Sequence, residues 1–272
     1  MNARQGLLKR YMALLKMEVE QTMAYRFSFF TSFLAQIVKT LVMLAVWIAV
    51  YQRRETVAGF SYSMMLTYLL ISQSVNNVYG FMNDAERPIS KKIRQGTIGF
   101  DLLKPVNFVT ARLMENVGKT TLQLIFAVLM FLVFKLCMPS LALPQSPLMA
   151  LLFAVSLVAG YLIMTFTSLI SGLGTFWLMN DWGLRNAKNA IIQFFSGALA
   201  PLSMLPGWMQ GVMNVLPFKG IVYVPTMIYM GQYDVASALG QIAVQLVWVV
   251  IMYALTRLTF GLAIKKISIN GG

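Results

Sequence analysis

The sequence predicts an all-α membrane protein with six transmembrane helices, an N-terminal interfacial helix and a re-entrant hairpin before the last helix. Three observations predict it. Apolar residues make up 58% of the 272 residues and charged residues only 11%, against roughly 45–50% and ~25% in soluble domains. The apolar residues fall in long unbroken runs, not in the ~10-residue alternating stretches of membrane β-strands. A hydrocarbon core of ~30 Å, at 1.5 Å per helical residue, asks for about 20 such residues, and the runs reach or exceed that length.

Residues 1–26 carry Leu8, Tyr11, Met12, Leu15, Val19 and Met23 at helical spacing, with Lys9, Lys16 and Glu20 interleaved. A cleaved signal has a basic stretch followed directly by an apolar core, so this segment reads as an amphipathic helix in the membrane interface or as an ordinary solvated leader. Spans are expected at about 27–50, 62–82, 110–137, 147–178, 187–205 and 236–264. The third and fourth are longer than the hydrocarbon requires, and the start of the third is assigned to the cytosol. Gly160, Gly172 and Gly174 in the fourth suit close helix approach. Segment 206–234 is apolar, but Pro206, Pro217 and Pro225, with Gly207, Gly211, Gly220 and Gly231, cut it into pieces too short to cross. It reads as a re-entrant hairpin from the outer side, since broken backbone survives at membrane depth only against protein or a wet cavity; a plain outer loop is the alternative. The chain thus divides into 1–26 and a six-helix membrane domain, 27–272.

Orientation follows the distribution of Lys and Arg. With the N-terminus inside, fifteen lie on the cytoplasmic side and three outside, namely Arg53, Arg54 and Lys219; Lys39, Arg112, Lys119 and Lys135 lie in or beside spans. Both termini are expected in the cytoplasm. The net charge of +13 is read as topology and contact with anionic headgroups, not nucleic acid.

The chemistry present excludes several classes. There is no histidine, and Cys137 is the one cysteine. Disulfide frameworks, zinc sites and histidine bases fall away. No Asp or Glu is assigned to bilayer depth, which disfavours ion-coupled carriage and intramembrane hydrolysis; Glu115 falls in the part of the third segment assigned to the cytosol. Uphill transport therefore requires energy from another chain. Gly118-Lys119-Thr120 resembles the tail of a P-loop, but the motif's earlier glycine position holds Leu113. The cytoplasmic stretch 83–107 is the best functional candidate. Asp84 and Glu86 before Pro88 mark a helix start, and Ile89, Ile93 and Ile98 give an apolar edge beside Lys91, Lys92 and Arg94. Such a helix suits a cleft on a soluble partner, passing motion to the second and third spans; a solvated loop is the plain alternative. At bilayer depth Gln73, Asn76, Asn77, Gln193 and Ser196 either line a pathway or hydrogen-bond between helices. Lys39, a cation in the first span, either steers an anionic headgroup or snorkels and meets another subunit.

The stretch Ile93-Arg-Gln-Gly-Thr-Ile-Gly-Phe-Asp101-Leu-Leu-Lys-Pro105-Val resembles a signature of the ABC type-2 transporter permeases. So do Phe176-Trp177 with Asp181-Trp-Gly-Leu-Arg185, Ser196-Gly-Ala-Leu-Ala-Pro201, Leu205-Pro206, Leu216-Pro-Phe218, Pro225 and Gly231-Gln. Ala24-Tyr-Arg-Phe27 and the terminal Gly271-Gly272 also fit, with Asn270 where the family usually has Gln. The resemblance implies a coupling helix between the second and third spans, with Ile89, Ile93, Gly96, Ile98, Gly99 and Asp101 as its contact zone. It further implies a cytoplasmic ABC ATPase dimer that holds ATP and Mg, a second permease, identical or paralogous, and a place in the bacterial inner membrane. This chain would carry no catalytic site and no cofactor, and would serve as the permease of an exporter. A channel-like or scaffold membrane protein without ATP coupling is the alternative.

Overall fold

The computed structural model describes residues 3–24, 26–80, 85–137, 143–178 and 181–266. Tyr25, Asp84 and 270–272, named above, lie outside these residues. The described chain is almost wholly helical. Helices α1 (Ala3–Ala24) and α2 (Arg26–Tyr51) lead to a two-strand hairpin, β1 (Thr56–Val57) and β2 (Phe60–Ser61), which the sequence reading did not expect. Its turn residues Ala58 and Gly59 have φ of +48° and +82°, the left-handed pair that closes a tight hairpin. Then come α3 (Tyr62–Gly80), the short α4 (Glu86–Arg94) and α5 (Ile98–Leu102), and the long α6 (Phe108–Cys137) and α7 (Pro147–Leu173). After these follow α8 (Asp181–Phe195), α9 (Gly207–Val215), α10 (Tyr223–Tyr229) and α11 (Val235–Ile264).

Local chemistry sets several of these boundaries. Ser146 Oγ accepts from Met149 N at 3.2 Å and Pro147 opens α7. Asp234 caps α11 by accepting from Ser237 N at 3.3 Å. The fifth expected span differs most. Helix α8 begins at Asp181 and ends at Phe195, because Gly197 takes φ +81° and Pro201 follows. At 15 residues it is about 22 Å long, short of a hydrocarbon core.

Among the described residues, 34–51, Pro147–Phe176 and Val235–Ile264 are long and apolar enough to cross a membrane. Segments Gly207–Val215 and Pro217–Tyr229 make a fourth if a pair bent by 78° counts as one span. Helix α3 carries Gln73, Asn76 and Asn77 and is the most enclosed of the long helices, with Met65, Tyr68 and Leu69 fully buried.

Helix α7 is the axis of the bundle, with α3, α4, α10 and α11 against it. Polar clasps fix the contacts. Gln245 on α11 donates to Gly220 O at 2.6 Å and accepts from Ser156 Oγ on α7 at 2.9 Å. Tyr79 on α3 donates to Leu157 O on α7 at 2.7 Å. Asn116 on α6 donates to Tyr161 OH and Thr165 Oγ1 on α7 at 2.8 and 3.0 Å. In hydrocarbon such bonds contribute about 0.6 kcal/mol each, so they set register more than stability. Helix α1 lies along α6 where Gly118 admits it: a Cβ there would stand 2.6 Å from Leu15 O. Gly118-Lys119-Thr120 is therefore a helix contact, with Lys119 Nζ 3.6 Å from Glu18 Oε2, and not a phosphate loop.

Candidate functional site

The site is the loop joining α3 to α6. Helix α4 is strongly two-sided. Ile89 is fully buried and Ser90 nearly so, while Arg87, Lys91 and Arg94 face outward. Gly96, at φ +69°, ends it: Gly96 N donates to Ile93 O at 3.1 Å and Thr97 N to Lys92 O at 2.9 Å. This left-handed cap turns the chain into α5. The buried face rests on the end of α7. A Cβ on Gly172 would come within 2.9 Å of Glu86 Cα, so only glycine admits this approach. Three residues beyond, Thr175 Oγ1 and Ser90 Oγ share a hydrogen bond of 2.8 Å.

Ion pairs then bolt the loop to α6 and α8. Asp101, 6% exposed, accepts from Lys92 Nζ at 2.6 Å, Lys104 Nζ at 2.9 Å and Arg112 on α6 at 2.6 Å. Arg112, equally buried, reaches Glu115 at 2.5 Å with its other terminal nitrogen. Glu86, 3% exposed, binds Lys188 Nζ on α8 at 2.7 Å, and the same ammonium donates to Ser168 Oγ on α7 at 3.1 Å. Arg94 meets Asp181 at the start of α8 at 2.8 Å. From the leader, Arg10 donates to Pro105 O at 3.2 Å and Tyr11 OH accepts from Asn107 N at 3.1 Å. Burial pushes the Asp101 carboxyl up, but hydrogen bonds from Lys92 and Lys104 and the charge of Arg112 outweigh it and hold it below its ordinary value. It stays an anion among three cations.

The outward surface is different in kind. Phe100 is 71% exposed and Leu103 is 81% exposed. Exposed Lys91, Arg94, Lys104 and Gly96 lie on the same loop. An apolar pair of this sort on a basic loop suits a protein cleft with an acidic rim.

Of the residues picked from sequence, the structure turns Ile89, Ile98 and Asp101 inward as anchors, leaves Ile93 and Gly99 half-buried, and exposes Gly96. Phe100, Leu103, Glu86, Arg112, Asp181 and Lys188 were missed as site residues. The signal was present: a cation beside an apolar helix must find a partner, and Arg112 stands three residues before Glu115. Of the membrane-depth set, Lys39 is exposed on α2, while Asn76 and Gln193 are half-buried. Gln73 donates to Ala198 O at 2.8 Å, and Ser196 O accepts from Tyr223 N at 2.9 Å; Asn77 is buried beside them on α3. Gln73 and Ser196 therefore support the unwound stretch after α8.

Residues 37–271 match a family model described as ABC-2 family transporter protein. No curated protein matches the chain.

Proposed function

The chain belongs to the ABC-2 family of transporter proteins, and from that premise we propose that it is the membrane permease of an ATP-driven exporter. It works with a cytoplasmic ABC ATPase dimer, which binds ATP and Mg, and with a second permease. The observation that carries this reading is the loop just described: apolar knobs outside, and inside ion pairs to α6 and α8 with hydrogen bonds to α7 and the turn that follows it. A surface-only loop would need no such anchorage. Displacement of Phe100 and Leu103 by a closing partner would move α6, α7 and α8 as one body. The cycle proceeds only if the ATP-bound and ATP-free partner states contact this loop differently.

The remaining architecture follows the same proposal. Helices α2, α3, α6, α7 and α11, with α8 continued by the unwound stretch 196–205, are the six spans, α9 and α10 form the re-entrant hairpin from the outer side, and α1 lies in the inner interface. Both termini are cytoplasmic, in a bacterial inner membrane. Lys39, Asn76 and Gln193 line the substrate pathway, which is completed by the second permease. Gln73, Asn77 and Ser196 hold the wall behind it. Replacing Phe100 and Leu103 with alanine together should abolish co-purification with the ATPase and its transport-linked stimulation, while membrane insertion continues. Full stimulation in that variant would refute the coupling role.

A further inference from the structure

Beneath α9 lies a small polar cavity of about 120 Å³, lined by Ser203, Gln210, Asn214, Lys219, Tyr223 and Tyr233, with Leu202 and Met213 at its edge. Lys219 is its one charged lining group. Asn214 Oδ1 accepts one of the ammonium's three N–H bonds at 2.7 Å, which leaves two donors. No carboxylate lines the cavity; the neighbouring Asp234 is occupied in capping α11. Gln210 is fixed by donating to Leu205 O at 2.7 Å and Ser203 O at 3.3 Å, so the wall is built and not merely adjacent. Helix α9 also shows a second face. Trp208, Val212 and Val215 are 73%, 47% and 72% exposed at spacings of four and three residues, so one side of α9 is apolar and the other meets the cavity. An aromatic residue with an apolar stripe suits the level of lipid headgroups.

We propose that this cavity is an extracytoplasmic site for a phosphate-type anion, with the outward placement of α9 and α10 argued above as its premise. Lys219 supplies charge, and Tyr223, Tyr233 and Ser203 supply hydroxyl donors. The exposed face of α9 accommodates the acyl chains when the phosphate belongs to a lipid. This deepens the exporter reading: the exit side of the permease recognises an anionic amphiphile. Lys219 is one of only three cations expected on the outer side, and it lines this cavity.

The test uses the full chain in phosphatidylcholine nanodiscs with photoreactive phosphatidylglycerol, the labelled peptides being mapped by mass spectrometry. Label should concentrate in 202–233. It should fall about tenfold in Lys219→Gln, the size of a lost charge-assisted hydrogen bond, and return in Lys219→Arg. Tyr233→Phe, which leaves charge unchanged, should lower it about fivefold, so the result does not depend on one variant folding. Photoreactive phosphatidylcholine should label weakly and equally in all. Displacement by millimolar inorganic phosphate identifies the free anion as sufficient; persistence of the label identifies the lipid. Equal phosphatidylglycerol labelling in the parent and Lys219→Gln overturns the site. Orientation is read separately, from Ser203→Cys in a Cys137→Ser background with an impermeant maleimide. Labelling of intact cells supports the exit-side placement, and labelling only of inverted vesicles overturns it whatever the lipid data show.

Discussion

Asp101 illustrates how much a single buried carboxylate does here. It gathers Lys92, Lys104 and Arg112 from the loop and from α6, and Arg112 is almost wholly enclosed. Asp101→Asn removes the anion that these three cations share, leaving Arg112 with Glu115 alone, and should cost about 3 kcal/mol, read as a lowered thermal midpoint. Adding Arg112→Met together with Glu115→Leu should recover part of the loss, since the buried pair on α6 then disappears as a whole. The pH dependence has a definite sign. Because the folded carboxyl titrates below its ordinary value of 3.8, its stabilisation is complete above that value and is lost as pH falls through the lower folded one. The difference in midpoint between parent and Asp101→Asn should therefore be flat across neutral pH and shrink only below about pH 4. Asp101 itself was legible from its place in the loop motif. Arg112 as its partner was not: eleven residues separate them, and only the turn at Pro105 brings α6 back beneath the loop.

Among the elements, the contact of α4 with α7 is the most exacting. Gly172 admits the backbone of Glu86 so closely that a side chain cannot be added without moving α4. Gly172→Val should cost about 1–3 kcal/mol of overpacking, break the Ser90–Thr175 bond, and reduce transport-linked ATPase stimulation. Unaltered stimulation would mean that the loop acts without this seat. Helix spacing and charge made most elements readable: α2, α3, α6, α7 and α11 begin within two residues of the expected spans. The fifth span was misplaced because apolarity was followed to Leu205, while the backbone obeys Gly197 and Pro201 and unwinds first. Its missing length is compensated locally, since Tyr68 OH donates to Gly197 O at 2.6 Å and Gln73 to Ala198 O at 2.8 Å. The β1–β2 hairpin was unreadable for a different reason. Two residues per strand give no alternation, and Ala58 is a poor advertisement for a left-handed turn. The apolar spacing of α1 suggested a one-sided helix, and the structure seats one stripe, Tyr11, Leu14, Leu15, Glu18 and Val19, against its neighbours; Met12, expected on that stripe, is exposed and the buried Glu18 was not expected there.

At the scale of the molecule, α7 ties the two candidate sites together. Its end that bears Gly172 carries α4 through Gly172, Ser168 and Thr175. Its other half meets the hairpin at Gly160, where a Cβ would stand 2.8 Å from Gly220 O. Gly220 is held in turn by Gln245, which also clasps Ser156, and Lys219 of the anion pocket is the adjacent residue. A push on the loop thus has a continuous bonded route to the pocket, through one rigid helix and one amide, and such a route couples sites only if both ends have two arrangements. Gln245→Leu cuts the route at the end far from the loop, without touching the loop. ATPase stimulation by the assembled complex should persist in that variant. The nucleotide-dependent change in maleimide reactivity at Ser203→Cys, expected in the parent, should be lost. If reactivity still switches with nucleotide in Gln245→Leu, the outer hairpin takes its motion from another helix or from the second permease, and α7 is not the lever.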